Sequence, residues 1–230
     1  MIKILSNDII GQGVEASIVA ASIGGNKTDF VARIDNSTPV DRKYQEQLFA
    51  SLIKERDDLN SQGIDNPLNN ISIPVAFEEN ENGTYWITRR ETGDVSKLIP
   101  VMSSEEINEL IRIQLTVIDY FIAKGIFYSD FKLENTLYTR NDDGSLHFRI
   151  CDIHNCRRFQ DIKSLDSKEH MFLACLIGLS SEASFILTYN KKLSSSLKAK
   201  LKVLAELNLF DNGVDMYKEF NTLSELYQSV

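Results

Sequence analysis

Up to about residue 90, apolar residues fall in short β-branched runs broken by glycine, asparagine and proline; beyond it they recur at helical spacing. Strands gathered early and helices gathered late are the pattern of an α+β fold. Residues 9–21 read as strand, glycine turn, strand, with Gly11 and Gly13 in the turn. Further strands are predicted at 29–35, 71–77 and 84–89, the last two joined by a polar turn at 78–83. One helix interrupts them at about 40–59. Asp41 can cap it just after Pro39, and Tyr44, Leu48, Phe49, Leu52 and Ile53 repeat at its spacing. Residues 62–70, rich in Gly, Asn, Asp and Pro, read as a loop.

The helical part opens with a long amphipathic helix at 103–124. Ser103 or Ser104 caps it, Glu106 or Glu105 completes the first turn, and Gly125 ends it. Directly afterwards Asp130, Lys132 and Asn135 form D-x-K-x-x-N between two apolar, strand-like runs. Packing gains nothing from these three side chains, and burying them unpaired would cost several kcal/mol. Chemistry explains them better. A carboxylate can accept a hydroxyl proton, an ammonium can neutralise a transferring phosphoryl group, and an asparagine oxygen can hold a divalent metal. The turn at 141–144 then joins strands at 136–139 and 146–151, and Asp152 supplies a second metal-binding oxygen group at the strand end. Three more helices are predicted, at 166–179, 194–207 and 214–227.

With 43% hydrophobic residues, 230 positions supply a full core for one domain or two small lobes. A net charge of −8 argues against a nucleic-acid partner, although a local basic groove stays open. Cys151, Cys156 and Cys175 are an odd number without zinc spacing, which suits reduced thiols in a cytosol. His147, His154 and His170 are not spaced for a metal, and Tyr85 and Trp86 read as core strand residues. The N-terminal residues lack the pattern of a secretory signal. The longest apolar run, 171–179, is too short to cross a bilayer, so no membrane partner is expected.

The run Tyr128-Ser129-Asp130-Phe131-Lys132-Leu133-Glu134-Asn135 resembles the catalytic loop of protein kinases, and Asp152-Ile153-His154 resembles their metal-binding Asp-Phe-Gly triplet. The resemblance covers roughly residues 9–160. It implies a two-lobed protein-kinase-like fold in a single domain: a small five-stranded N-lobe at 1–90, a hinge at 91–95 and a shortened helical C-lobe at 96–230. It also implies ATP and Mg2+ as cofactors. Asp130 would then be the catalytic base, Lys132 would offset charge at the γ-phosphate, and Asn135 and Asp152 would hold the metal. Gly11 and Gly13 would let the backbone approach the phosphates. Arg33 takes the place of the strand lysine that reaches the α and β phosphates. Glu46, with Glu55 as the fallback, takes that of the helix glutamate that pairs with it, and Asp94 in the hinge would bond a ribose hydroxyl.

The chain departs from the kinase pattern at several positions. Arginine stands at 33 where kinases carry lysine, Ala16 stands for a third glycine, and His154 for the glycine of the triplet. Ser129 precedes Asp130 where regulated kinases carry arginine, and no Ala-Pro-Glu follows. Both features point away from control by loop phosphorylation. Lys132 favours a serine/threonine protein kinase over small-molecule kinases of the aminoglycoside type. The chain is thus similar to the compact, minimal kinases that pathogenic bacteria inject into host cells. That similarity implies a monomeric virulence effector, cytoplasmic and then secreted by an injection system into the host cytosol. Its partner would be a host protein substrate, with ubiquitin-conjugating machinery as a second. Two alternatives stay open: a pseudokinase that binds nucleotide or a partner protein without turnover, and a small-molecule phosphotransferase.

Overall fold

Alternating apolar residues in the first third of the chain build one antiparallel sheet. In the computed structural model, which describes residues 2–12, 16–24, 29–35, 42–80, 83–153, 156–159, 167–207 and 215–228, its strands are β1 (Ile2–Gln12), β2 (Ala16–Ile23), β3 (Phe30–Asp35), β4 (Ala76–Asn80) and β5 (Gly83–Arg89). They lie in the order β1-β2-β3-β5-β4. Between β3 and β4 runs the helix α1 (Arg42–Ser61). The expected cap at Asp41 and Pro39 lies outside the described residues.

Period-two alternation gives the sheet two different faces. Val19, Ala21, Ala32, Tyr85 and Ile87 form a buried cluster on one, with Phe30 and Ile34 packed against it. Trp86 points to the other, where its indole meets Phe49 of α1 edge-on at 5.3 Å and Phe77 at 4.7 Å. Tyr85 and Trp86 are therefore both core residues, as expected. The strand predicted at 71–77 is shorter than its pattern suggested. Ile71, Ser72 and Ile73 are buried, but Pro74 has no N–H to donate and the regular ladder begins only at Ala76. The predicted loop at 62–70 contains a 3-10 turn at Pro67–Asn70, capped by the Asn66 side chain accepting from Leu68 N.

By its contacts the chain divides into two compact units, Met1–Glu91 and Thr92–Val230. The second begins with the two-residue strand β6 (Gly93–Asp94) and is organised around α2 (Ser104–Ala123). Both halves of the capping box form: Ser103 Oγ accepts from Glu106 N at 3.2 Å, and Ser103 N donates to Glu106 Oε2 at 2.7 Å. At the other end Gly125, at φ +66°, takes the left-handed conformation that stops the helix. Then come β7 (Ile126–Phe127), β8 (Thr136–Arg140), β9 (Leu146–Ile150) and β10 (Arg157–Arg158). β7 pairs with β10, and β8 lies between β6 and β9.

Three helices close this unit: α3 (Ser167–Tyr189), α4 (Ser195–Ala205) and α5 (Met216–Gln228). α3 continues ten residues past the predicted end at 179. Its pattern breaks at Ser180, Ser181 and Glu182, but the Ser180 hydroxyl donates to Ala205 O of α4 and so does not interrupt the helix. By length and composition α3 is apolar enough to cross a membrane. In this fold Met171, Phe172, Cys175, Leu176, Leu179, Ala183 and Ile186 are buried on it, together with the ionisable Glu182.

Candidate active site

The loop between β7 and β8 is held by backbone and buried side chains before its polar groups are considered. Tyr128 is buried, with its ring 4.7 Å from that of Phe131 and 5.8 Å from that of Phe121. Its hydroxyl lies 3.1 Å from Asp130 O and 2.9 Å from Cys151 O and donates its one proton toward these two carbonyls. Burial raises the Tyr128 pKa well above its ordinary value, and the nearby Cys151, Cys156, Asp152 and Asp130 push it the same way. The phenol therefore stays neutral and acts as a clasp between the D-x-K-x-x-N loop and the end of β9. A second tie joins the same segments: Cys151 N donates to Asn135 O at 2.8 Å.

On this frame the polar side chains converge. Lys132 Nζ donates to both carboxylate oxygens of Asp130, at 3.1 and 2.8 Å. Asn135 Nδ2 donates to Asp130 O at 2.9 Å and to Asp130 Oδ2 at 2.7 Å. Asn135 is 8% exposed and fixed at the end of a 3-10 turn, Leu133–Asn135. The Asp130 and Lys132 side chains remain 53% and 47% exposed, so an incoming group can reach both. The hydrogen bond to Asp130 raises the Lys132 pKa against partial burial, and the charges of Asp130, Asp152 and Glu134 add to it. Asp152 thus lies within electrostatic reach of Lys132.

Asp152 follows β9 with φ at +60°, the sole non-glycine residue with positive φ among the described residues. Short polar side chains tolerate this left-handed conformation better than others, and a strained backbone of this kind gathers at functional sites. No group of three or more His, Cys, Asp or Glu among the described residues is placed to hold a metal. The donors here are of another kind. Both amide protons of Asn135 point to Asp130, which leaves Oδ1 as the atom that could hold a cation, and the Asp152 carboxylate would be a second hard oxygen donor. Such a set suits Mg2+, which takes few protein ligands and completes its shell with water and phosphate oxygens.

The other predicted residues are spread over the two units. Gly11 lies in β1 opposite Ile18, and a β-bulge falls between Ile9 and Gly11. A Cβ at position 11 would meet Ile18 only at ordinary contact distance, 3.9 Å, so neither backbone nor packing demands glycine there. Gly13 and His154 lie outside the described residues. Arg33 of β3 stands opposite Trp86 and so shares the sheet face that Phe49 of α1 covers. Glu46 precedes Phe49 by three residues on α1, which puts it on the same helix face. Asp94 lies in β6, paired with Leu137. Its carboxylate accepts from the Ser96 hydroxyl and pairs with Lys97 Nζ at 2.9 Å. Burial raises the Asp94 pKa, but these two partners outweigh it and the net shift is downward.

Among solved structures the chain is similar to Rad53 residues 1–466 in complex with AMP-PNP. The TM-score is 0.63 at 16% sequence identity, over 96% of this chain and 64% of that one. The fold is protein-kinase-like. At 64%, the chain spans slightly less than two thirds of the structure it matches. No family model matches the sequence, and no curated protein matches it either.

Three supports of the site carry no motif of their own. Tyr128 looks like one more aromatic in an apolar run, and only the fold shows its hydroxyl bridging two carbonyls. Gln114 of α2 is fully buried and donates to Thr136 Oγ1 at 3.2 Å, just beyond Asn135. Gly178 of α3 packs directly on the loop, and a Cβ there would come within 2.4 Å of Phe131 O. An isolated glycine within an apolar helical run was the available signal for such a close approach. Burial pushes the Cys156 and Cys175 thiols far up, and Cys175 Sγ donates to Tyr128 O at 3.7 Å.

Proposed function

We propose that this chain is an ATP-dependent serine/threonine protein kinase without a phosphorylation-controlled activation loop. The observation that carries this reading is the carboxylate of Asp130, held by Lys132 and Asn135 yet half open to solvent, with Asp152 in left-handed backbone nearby. A substrate hydroxyl donates to Asp130, which takes its proton as the oxygen attacks the γ-phosphorus. The new O–P bond forms as the bridging P–O bond to the β-phosphate breaks, and ADP leaves. Lys132, on an exposed side chain, offsets the negative charge that gathers on the transferring group. Asn135 Oδ1 and the Asp152 carboxylate would hold Mg2+, whose chemistry is to neutralise phosphate oxygens. In the first unit, Arg33 is assigned to the α and β phosphates and Glu46 to holding Arg33. Arginine keeps the charge of lysine there but presents a planar fork.

The finer reading is an effector delivered by bacteria into a host cytosol, acting on a host protein. It rests on Ser129 before Asp130 and on the lack of Ala-Pro-Glu in the residues that follow Asp152. The arginine at position 33 favours one competing reading, a nucleotide-binding module without turnover. Incubating the protein with γ-labelled ATP, Mg2+ and a host-cell lysate separates the two. The kinase reading predicts labelled protein, reduced about 10²–10⁴-fold by Asp130→Ala. No label, or equal label from the variant, contradicts it. Label on small molecules alone points to a small-molecule phosphotransferase.

A further inference from the structure

Behind the candidate loop, three buried polar side chains stand in a row in otherwise apolar surroundings. Thr136, next to Asn135 in the chain, receives the hydrogen bond from Gln114 Nε2. Gln114 in turn faces Glu182 of α3, which is 4% exposed. By hydrogen-bond geometry neither carboxyl oxygen of Glu182 has a partner, nor has Gln114 Oε1, although the Gln114 amide lies close enough to favour the charged carboxylate. Buried acceptors gathered without a donor are costly, and a charged carboxylate among them is worse. A single proton on Glu182 relieves most of the conflict: it removes the buried charge and supplies an O–H that Gln114 Oε1 can accept, leaving one carbonyl oxygen unpaired.

The surroundings favour that proton. Burial is the largest effect and pushes the Glu182 pKa up to about 8; the Gln114 amide opposes it, and the charge of Glu134 adds to it. From α2 the group facing Glu182 is the neutral Gln114, and from the 3-10 turn it is the Glu134 carboxylate. The groups that shift it are its own burial, the Gln114 amide and the Glu134 carboxylate, and none of these is a cation.

We propose that Glu182 is a positioning residue for the candidate site. As a neutral acid it donates to Gln114 Oε1 and fixes the amide that holds Thr136 and thereby Asn135; its ionisation releases that hold. Only the consequence for turnover rests on the kinase reading, since the relay itself needs no nucleotide.

The test is hydrogen exchange at the backbone amides of 133–137, corrected for intrinsic pH dependence, in the wild type and in Glu182→Gln. Protection in the wild type should fall several-fold as pH rises through about 8. In Glu182→Gln, whose amide can donate at every pH, the step should be absent. A wild type without the step, or a variant that keeps it, overturns the proposal. Should the variant fail to fold, the ¹³C carboxyl resonance of Glu182 in the wild type decides. Titration near pH 8 supports the relay, and titration in the ordinary range near 4.5 overturns it. Turnover of MgATP should fall over the same pH window in the wild type alone. An exchange step without any turnover at any pH supports the relay and counts against the kinase reading.

The sign for global stability follows from the same shift. Between 4.5 and about 8 the folded chain keeps a proton that the unfolded chain has lost. The Glu182 contribution to stability therefore declines as pH rises across that window and levels off above it. Glu182→Gln should gain on the wild type over that interval in thermal unfolding.

Discussion

Asp130 accepts hydrogen bonds from Lys132 and Asn135, so its orientation is set by its own loop rather than by a ligand. Beneath it, the Tyr128 hydroxyl meets Asp130 O and Cys151 O with one proton. Tyr128→Phe keeps the ring packing against Phe121 and Phe131 and removes only that proton. Two carbonyls lose their shared donor, at an expected cost of about 1–3 kcal/mol. Calorimetry should show a Tm several degrees lower, with turnover reduced because Asp130 and Asp152 lose a common support. An unchanged Tm would mean that the clasp contributes nothing. Asp94 is constrained differently: its carboxylate is engaged by Ser96 and Lys97, and any ribose hydroxyl proposed there would have to compete with partners already in place.

Helix α3 supports the loop through the absence of a side chain. Alanine at 178 would gain about 1 kcal/mol in helix propensity over glycine. Its Cβ, however, would meet a backbone carbonyl at 2.4 Å, and neither partner can rotate away. Gly178→Ala should therefore destabilise by about 1–3 kcal/mol and displace the residues around Phe131. Ser181→Ala, an exposed position on the same helix, should leave stability unchanged or slightly higher by the same melting assay. Equal behaviour of the two variants would remove the close approach from the account. Such supports explain what could and could not be read beforehand. The capping box at Ser103 and Glu106, the stop at Gly125 and the hairpin turn at 141–144 are local, and their residues announce them. The strand at 71–77 and the helix end at 179 depart from the sequence pattern because Pro74 lacks an N–H for the ladder and the Ser180 hydroxyl finds a tertiary partner in α4. D-x-K-x-x-N was legible because its polar side chains have no reason to stand between apolar runs. Tyr128, Gln114 and Glu182 were not, because a buried polar group shows its role only through the atoms it faces.

Among the described residues, one unit holds the five-stranded sheet with α1 and the other holds helices α2 to α5. All the residues assigned here to proton and metal handling, Asp130, Lys132, Asn135 and Asp152, belong to the second unit. Gly11, Arg33 and Glu46 belong to the first. Under the proposed kinase reading, Asp152→Ala should weaken Mg-dependent nucleotide affinity; an unchanged Mg dependence in that variant, measured by calorimetric titration, would contradict the metal role of Asp152. On the proposed reading, Asp130, Asn135 and Asp152 surround one metal-bound triphosphate. Paramagnetic broadening of backbone amide resonances by Mn2+ and ATP tests it most directly. Selective broadening is expected at Asp130, Asn135 and Asp152, with little effect at Gly144 in the hairpin turn and loss of the pattern in Asp152→Ala. Broadening centred elsewhere, or unchanged in that variant, would contradict it.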